Sequence, residues 1–105
     1  MVMLKLNDHE QMMFRHMIAL TRGCMARTDG SFAEHLKCET AYLSEGDRFT
    51  YHTHPRGSPD PSEADRRTTS RLKKDWLLIG LVPTNEIVGY SKSDGFKQLR
   101  FRRKL

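Results

Sequence analysis

The chain lacks several features that would place it in a specialised class. Among its 105 residues are only two cysteines, Cys24 and Cys38, and they do not form a CxxC pair. A structural zinc knuckle is therefore excluded, and a disulfide framework is not expected. No apolar run approaches a membrane span, and Met1–Leu6 is too short for the apolar part of a signal peptide. We therefore expect a cytoplasmic protein with no membrane partner.

Positive charge exceeds negative charge without dominating the composition. Lys and Arg number 18 against 13 Asp and Glu, which gives a formal net charge of +5. This surplus favours acidic partners but is below the density of a dedicated nucleic-acid binder, so nucleic acid is not the expected partner. A chain of this length predicts one domain over residues 1–105, in which all functional residues share one scaffold.

Helical and strand patterns alternate along the chain. Asn7 and Glu10 form a capping-box pattern before an apolar helical repeat, which predicts a helix over 8–21 that ends before Gly23. Ser62 is the predicted cap of a second helix, because acidic residues follow it in the first turn. Strands are predicted in the remaining apolar segments: one or two within 31–43, then 48–54, 77–82, 86–90 and 98–102. This order predicts an α/β fold.

The most informative segment is 52–65, which reads HTHP, a six-residue loop and SEAD. His52 and His54 are two residues apart on a predicted strand, so both imidazoles leave the same face and can converge on one ion about 2 Å away. The loop can fold back so that the next helix presents Asp65 as a third ligand. Two histidines, a carboxylate and one open position are the pattern of a catalytic zinc centre. Taken alone, the histidine pair would also fit a solvated surface strand, and Ser62 would be a simple helix cap.

Segment 52–65 resembles the signature of the JAMM metalloproteases, the catalytically competent branch of the JAB/MPN domain. The order of the predicted elements resembles that family over most of the chain. The resemblance implies a single compact JAB/MPN-like domain, similar to cytidine deaminases, with a curved mixed sheet flanked by two helices. It also implies that His52, His54 and Asp65 bind Zn²⁺ and that Ser62 stabilises the tetrahedral intermediate.

The same resemblance implies an upstream glutamate as general base. If residues 45 and 46 form a two-residue turn, the hairpin count places Glu39 opposite His52, with the two Cβ atoms about 5 Å apart. We therefore predict Glu39 as the base, although family members usually carry a longer segment between this glutamate and the histidines. Glu34 is the second choice, and Glu10 is better explained by helix capping. His35 is interpreted as a surface or partly buried residue outside the ligand set.

These residues together predict a zinc-dependent (iso)peptidase that cleaves an amide bond. The resemblance implies that the bond lies at the C-terminus of a ubiquitin-like or sulfur-carrier-type protein, and such proteins are often acidic. Two alternatives are left open: a non-catalytic MPN-type interaction scaffold, and a RadC-like JAB protein associated with DNA. Formation of a homodimer is also left open.

Overall fold

The computed structural model describes residues 4–105, so the first three residues of the segment Met1–Leu6 lie outside the described part. Its centre is a five-stranded sheet with the strand order β1-β2-β3-β4-β5. The elements, in chain order, are α1 (Asp8–Met25), α2 (Phe32–Leu36), β1 (Ala41–Leu43), β2 (Phe49–His54), α3 (Glu63–Arg71), β3 (Trp76–Leu81), β4 (Glu86–Ser91) and β5 (Leu99–Lys104). Short 3-10 helices, Val82–Thr84 and Lys92–Asp94, follow β3 and β4. The predicted α/β class is confirmed.

The sheet is mixed, with its one parallel pairing at β2 and β3 within the described residues. A parallel pair needs a crossover connection, and α3 supplies it between the end of β2 and the start of β3. All six residues of β3 are buried, as expected for a middle strand that is covered on both faces. Because the crossover starts at the carboxyl end of β2, the first turn of α3 lies beside the last residues of that strand.

The core on one face of the sheet is organised around α1. Phe14 of α1 stacks on Tyr51 of β2 with ring centroids 4.2 Å apart, and the Tyr51 hydroxyl donates a hydrogen bond to the Phe14 carbonyl at 3.1 Å. Gly80 of β3 faces this hydroxyl, and a Cβ at that position would collide with it. A glycine in the central strand is therefore required by the packing of α1 on the sheet.

The start of α1 forms as the sequence predicts. Asn7 Oδ1 accepts the Glu10 N–H at 2.7 Å, while the Asn7 N–H donates to Glu10 Oε1 at 3.0 Å, which completes the capping box. The end of α1 differs from the prediction, because the helix continues through Gly23 to Met25. Within residues 4–105, we find no helix with the length and apolarity that crossing a bilayer would need.

The prediction of strands over 31–43 was largely wrong. Residues 32–36 form the short helix α2, and only Ala41–Leu43 are extended. Ser31 begins the helix, because its Oγ accepts the Glu34 N–H at 3.2 Å. The structure therefore has three α-helices within the described residues rather than the two expected.

The two cysteines form a disulfide, which the composition did not lead us to expect. Cys24 lies in the last turn of α1, Cys38 follows α2, and their Cα atoms are 5.6 Å apart. The continuation of α1 past Gly23 places Cys24 where the chain returns after α2. The bond therefore ties α2 to the end of α1.

Candidate metal centre

The three predicted metal ligands meet at the end of β2. His52 and His54 leave the same face of the strand, and Asp65 reaches them from the first turn of α3. His52 Nε2 lies 3.0 Å from His54 Nε2 and 3.1 Å from Asp65 Oδ2. His54 Nε2 lies 3.7 Å from the same carboxylate oxygen. The three side chains thus direct one ligand atom each toward a common point.

These separations suit a tetrahedral metal ion. Bonds of about 2.0–2.2 Å to nitrogen and oxygen put neighbouring ligand atoms roughly 3.3 Å apart in a tetrahedron. The three observed distances, 3.0, 3.1 and 3.7 Å, bracket that value. Two imidazoles and a carboxylate could therefore hold a metal ion here, and the set is chemically suited to zinc.

The loop after β2 sets the tautomer of His54. Its Nδ1 lies 2.6 Å from the Ser58 carbonyl oxygen, which can only accept a hydrogen bond. The proton of a neutral His54 is therefore held on Nδ1, and the Nε2 lone pair points toward the other ligand atoms. Gly57 makes this turn possible, because its φ of +79° is a left-handed conformation that other residues adopt at a cost.

Ser62 caps α3, as predicted, and also fixes Asp65. The Asp65 N–H donates to Ser62 Oγ at 3.0 Å, and the Ser62 N–H donates to Asp65 Oδ2 at 2.9 Å. Burial of the Asp65 carboxyl raises its pKa, but the hydrogen bonds to His52 and His54 and the Ser62 N–H outweigh burial and hold the pKa below its ordinary value. Asp65 is therefore ionised, as a metal ligand must be.

An open cleft of about 350 Å³ gives access to His54 and Asp65. The cleft is lined by His54, Ser62 and Asp65 together with residues of α2. His35 also lines the cleft, and its Nδ1 is buried without a hydrogen-bond partner among the described residues. The prediction that His35 is a surface or partly buried residue is confirmed by its half-buried position, but its place beside the site was not foreseen, because the α2 segment was predicted as strand.

Comparison with known proteins identifies the domain. The sequence model of one family, described as the RadC-like JAB domain, matches residues 2–93. The chain belongs to the RadC-like JAB family. A UPF0758 protein from Vibrio cholerae is 40% identical over 47 residues, which cover 45% of this chain and 30% of that protein. The match thus spans less than a third of the length of the curated relative, and no solved structure matches the chain.

Glu39 lies in the cleft of this RadC-like JAB domain, but not in the predicted register. Ala41, rather than Glu39, is opposite His52. The hairpin loop has four residues instead of two, because the Ser44 N–H donates to the Phe49 carbonyl at 3.1 Å and the Phe49 N–H to Ser44 Oγ at 2.8 Å. The pairing therefore shifts by two residues. Glu39 precedes the strand, is exposed and lines the cleft together with His54 and Asp65.

The other two candidate bases are occupied elsewhere in the RadC-like JAB domain. Glu10 closes the α1 capping box and forms an ion pair with Arg48 at 2.9 Å. Glu34 pairs with Lys37 at 3.1 Å on the exposed side of α2. Neither is among the residues that line the cleft in the described part of the chain.

Buried threonine hydroxyls join the elements of the RadC-like JAB domain that carry the candidate metal ligands. They were not predicted from the sequence. Thr69 Oγ1 donates to the Asp65 carbonyl at 2.8 Å and lies 2.9 Å from Thr50 Oγ1, so α3 is fixed to β2. Thr53 Oγ1 lies 2.8 Å from Thr21 Oγ1, which fixes β2 to α1. All four of these threonines are buried. The spacing of these threonines in the sequence does not predict the pairs, because each pair joins residues on different elements.

Proposed function

We propose that this RadC-like JAB domain is a zinc-dependent hydrolase of amide bonds. One observation carries the proposal: three ligand atoms converge on one point, and two of the ligands, His54 and Asp65, line an open cleft together with Glu39 and Ser62. A structural zinc site normally has four protein ligands, whereas a catalytic site has three and leaves a position for substrate or water. The three-residue set favours the catalytic kind.

The proposed division of labour follows from the positions of the side chains. His52, His54 and Asp65 would hold the ion, and zinc, when bound, supplies a Lewis acid that polarises the scissile carbonyl and acidifies water. Glu39 is an exposed carboxylate in the same cleft, suited to take a proton from the attacking water and deliver it to the leaving amine. Ser62 Oγ accepts the Asp65 N–H, so its own hydroxyl hydrogen can be donated to the developing oxyanion.

The finer proposal concerns the substrate. We take it to be the C-terminal tail of a small acidic protein of the ubiquitin-like or sulfur-carrier type. The resemblance of segment 52–65 to the JAMM signature supports this choice, as does the net charge of +5. The cleft is open to solvent along one side and has exposed apolar side chains, Phe32 and Leu36, for contacts with a peptide.

The test is hydrolysis of ubiquitin-like fusion proteins by the chain reconstituted with zinc. We expect cleavage that stops on chelation and returns with added zinc. A protein that binds one zinc ion per chain and cleaves no amide substrate would argue against the hydrolase. A protein that binds no zinc would support a non-catalytic MPN-type scaffold instead.

A role beside DNA is the second candidate, and the match to the RadC-like JAB family favours it. The strand β5 presents four basic residues, but Arg102 is paired with Glu86 at 2.8 Å and Arg100 with Asp94 at 3.2 Å. Only part of that charge is therefore free to contact phosphates. DNA binding whose affinity falls steeply with salt, with a logarithmic slope of about one per phosphate contact, would support this candidate.

A further inference from the structure

Part of the cleft beside His54 and Asp65 is lined by α2, a short helix with little apolar surface buried. All five of its residues are described, and none is buried. Phe32 is 57% exposed and Leu36 is 44% exposed. Isolated helices shorter than about 12 residues are marginal in water, and helices in proteins depend on the burial of an apolar face. The position of α2 therefore depends on its tethers.

The disulfide is the covalent tether. Cys38, which is only 4% exposed, is bonded to Cys24 in the last turn of α1. The other contacts are weaker: the Arg56 side chain donates to the Gly30 carbonyl at 3.0 Å, and its guanidinium lies 5.3 Å from the centre of the Phe32 ring. Removal of the covalent bond would leave α2 held by its packing on the end of α1, by one exposed arginine and by its chain neighbours, all of them non-covalent contacts.

The tether also controls the placement of Glu39, because Cys38 is the residue directly before it. On the other side of Glu39, the Thr40 N–H donates to Thr53 Oγ1 at 2.9 Å, so the chain is fixed again at the entrance to β1. Glu39 thus lies between a disulfide and a hydrogen bond. The metal ligands are positioned independently, since β2 and α3 are joined through Thr50 and Thr69.

We propose that the Cys24–Cys38 disulfide is a redox-sensitive lock on the cleft. In the oxidised chain it holds α2 and Glu39 beside the metal ligands. A dithiol reductant delivers two electrons and two protons, the sulfur–sulfur bond breaks, two cysteine thiols form, and the reductant becomes a cyclic disulfide. Reduction then releases α2 and Glu39 but leaves His52, His54 and Asp65 in place. The structural part of this proposal stands alone, and its consequence for cleavage rests on the proposed hydrolase function.

Amide hydrogen exchange on the 105-residue chain tests the structural part. On reduction we expect amides within 28–40 to exchange roughly tenfold faster or more, since a closed loop of about 15 residues is opened, while amides of β3 keep their rates. The double variant Cys24→Ser/Cys38→Ser should match the reduced wild type and should not respond to reductant. Unchanged exchange in 28–40 would overturn the lock. Equal loosening of β3 would also overturn it, because the disulfide would then merely stabilise the whole domain.

Zinc binding and cleavage test the consequence. The reduced chain and the double variant should retain the zinc content of the oxidised wild type, but cleave a ubiquitin-like fusion at least tenfold more slowly. Loss of zinc on reduction would contradict the separation between the lock and the ligands. Equal cleavage rates would show that release of Glu39 has no catalytic consequence. If the oxidised wild type cleaves nothing, the hydrolase proposal fails, while the exchange experiment still decides whether the lock exists.

Discussion

The two sides of the cleft are held together in different ways. The metal side, residues 49–71, consists of a buried strand and a capped helix joined by the hydroxyl pair of Thr50 and Thr69. The α2 side, residues 26–40, contains a five-residue helix without buried side chains, tied to α1 by a disulfide. The metal side is fixed by packing and hydrogen bonds, whereas the α2 side has one covalent bond and, beside it, only weaker contacts. The three candidate metal ligands lie on the metal side, and the proposed base, Glu39, lies on the α2 side.

Removal of a metal ligand should have the largest effect. We expect His54→Ala to lower the zinc content far below one ion per chain and to reduce amide hydrolysis by roughly 10³-fold or more, because several kcal/mol of transition-state stabilisation depend on the ion. The measurements are metal analysis and cleavage rate, with far-ultraviolet circular dichroism as the control for folding. If the variant kept both zinc and activity, His54 would be neither a metal ligand nor needed for hydrolysis.

Substitution of the proposed base should separate catalysis from metal binding. Glu39→Gln should lower kcat by about 10²–10⁴-fold, the range typical of a lost proton-transfer group, while the zinc content stays unchanged. Glu34→Gln is the matched control on the same side, because Glu34 pairs with Lys37 away from the cleft. Steady-state kinetics of both variants make the comparison. Full activity of Glu39→Gln would refute the assignment of the base without touching the zinc site.

The two serine caps allow the stability of the two sides to be compared directly. Ser62→Ala removes the cap of α3 and should lower the free energy of unfolding by about 1 kcal/mol. Ser31→Ala removes the same kind of cap from α2 and should lower it by less, because α2 contributes little to the cooperative core. Urea denaturation of both variants in the metal-free state gives the two values. A larger loss of unfolding free energy for Ser31→Ala than for Ser62→Ala would show that the α2 side contributes more to the cooperative core than the metal side.

The free energy of unfolding should depend on pH more strongly through Asp65 on the metal side than through Asp29 on the α2 side. These are the smallest effects that we expect. The pKa of Asp65 is depressed in the folded chain, so its contribution is complete above the unfolded value of about 3.9 and is lost as the pH falls below it. The stability difference between metal-free wild type and Asp65→Asn should therefore shrink below about pH 4. Asp29, whose pKa is lowered mainly by the Ser31 backbone, should show the same sign in Asp29→Asn but a smaller change, because it is fully exposed. Urea denaturation at several pH values checks both.

The metal side could be predicted from sequence because its signals are local. Two histidines at strand spacing, a proline that ends the strand, and a serine that caps a helix three residues before Asp65 are each visible in a few consecutive letters. Each of these elements is present in the structure. The α/β class followed from the order of such elements.

The α2 side could not be predicted because its structure depends on distant contacts. The hairpin register differs by two residues from the predicted one, because Ser44 pairs with Phe49. The resulting loop is held by Lys74, whose ammonium donates to the Ser44 carbonyl at 2.8 Å. Nothing near Ser44 in the sequence indicates that lysine. The disulfide was missed for the same reason, since Cys24 and Cys38 meet only after α1 has continued past Gly23.

The basic strand β5 has a consequence for self-association. It is the last strand of the sheet, so its outer backbone groups could pair with the same strand of a second copy. Arg100 and Arg102 form ion pairs with Asp94 and Glu86. Pairing of the two strands would still bring together Arg103 and Lys104 of both copies, and like charges on adjacent strands repel. This edge therefore discourages sheet-to-sheet aggregation of the protein, and a homodimer, if one forms, is expected to use another surface.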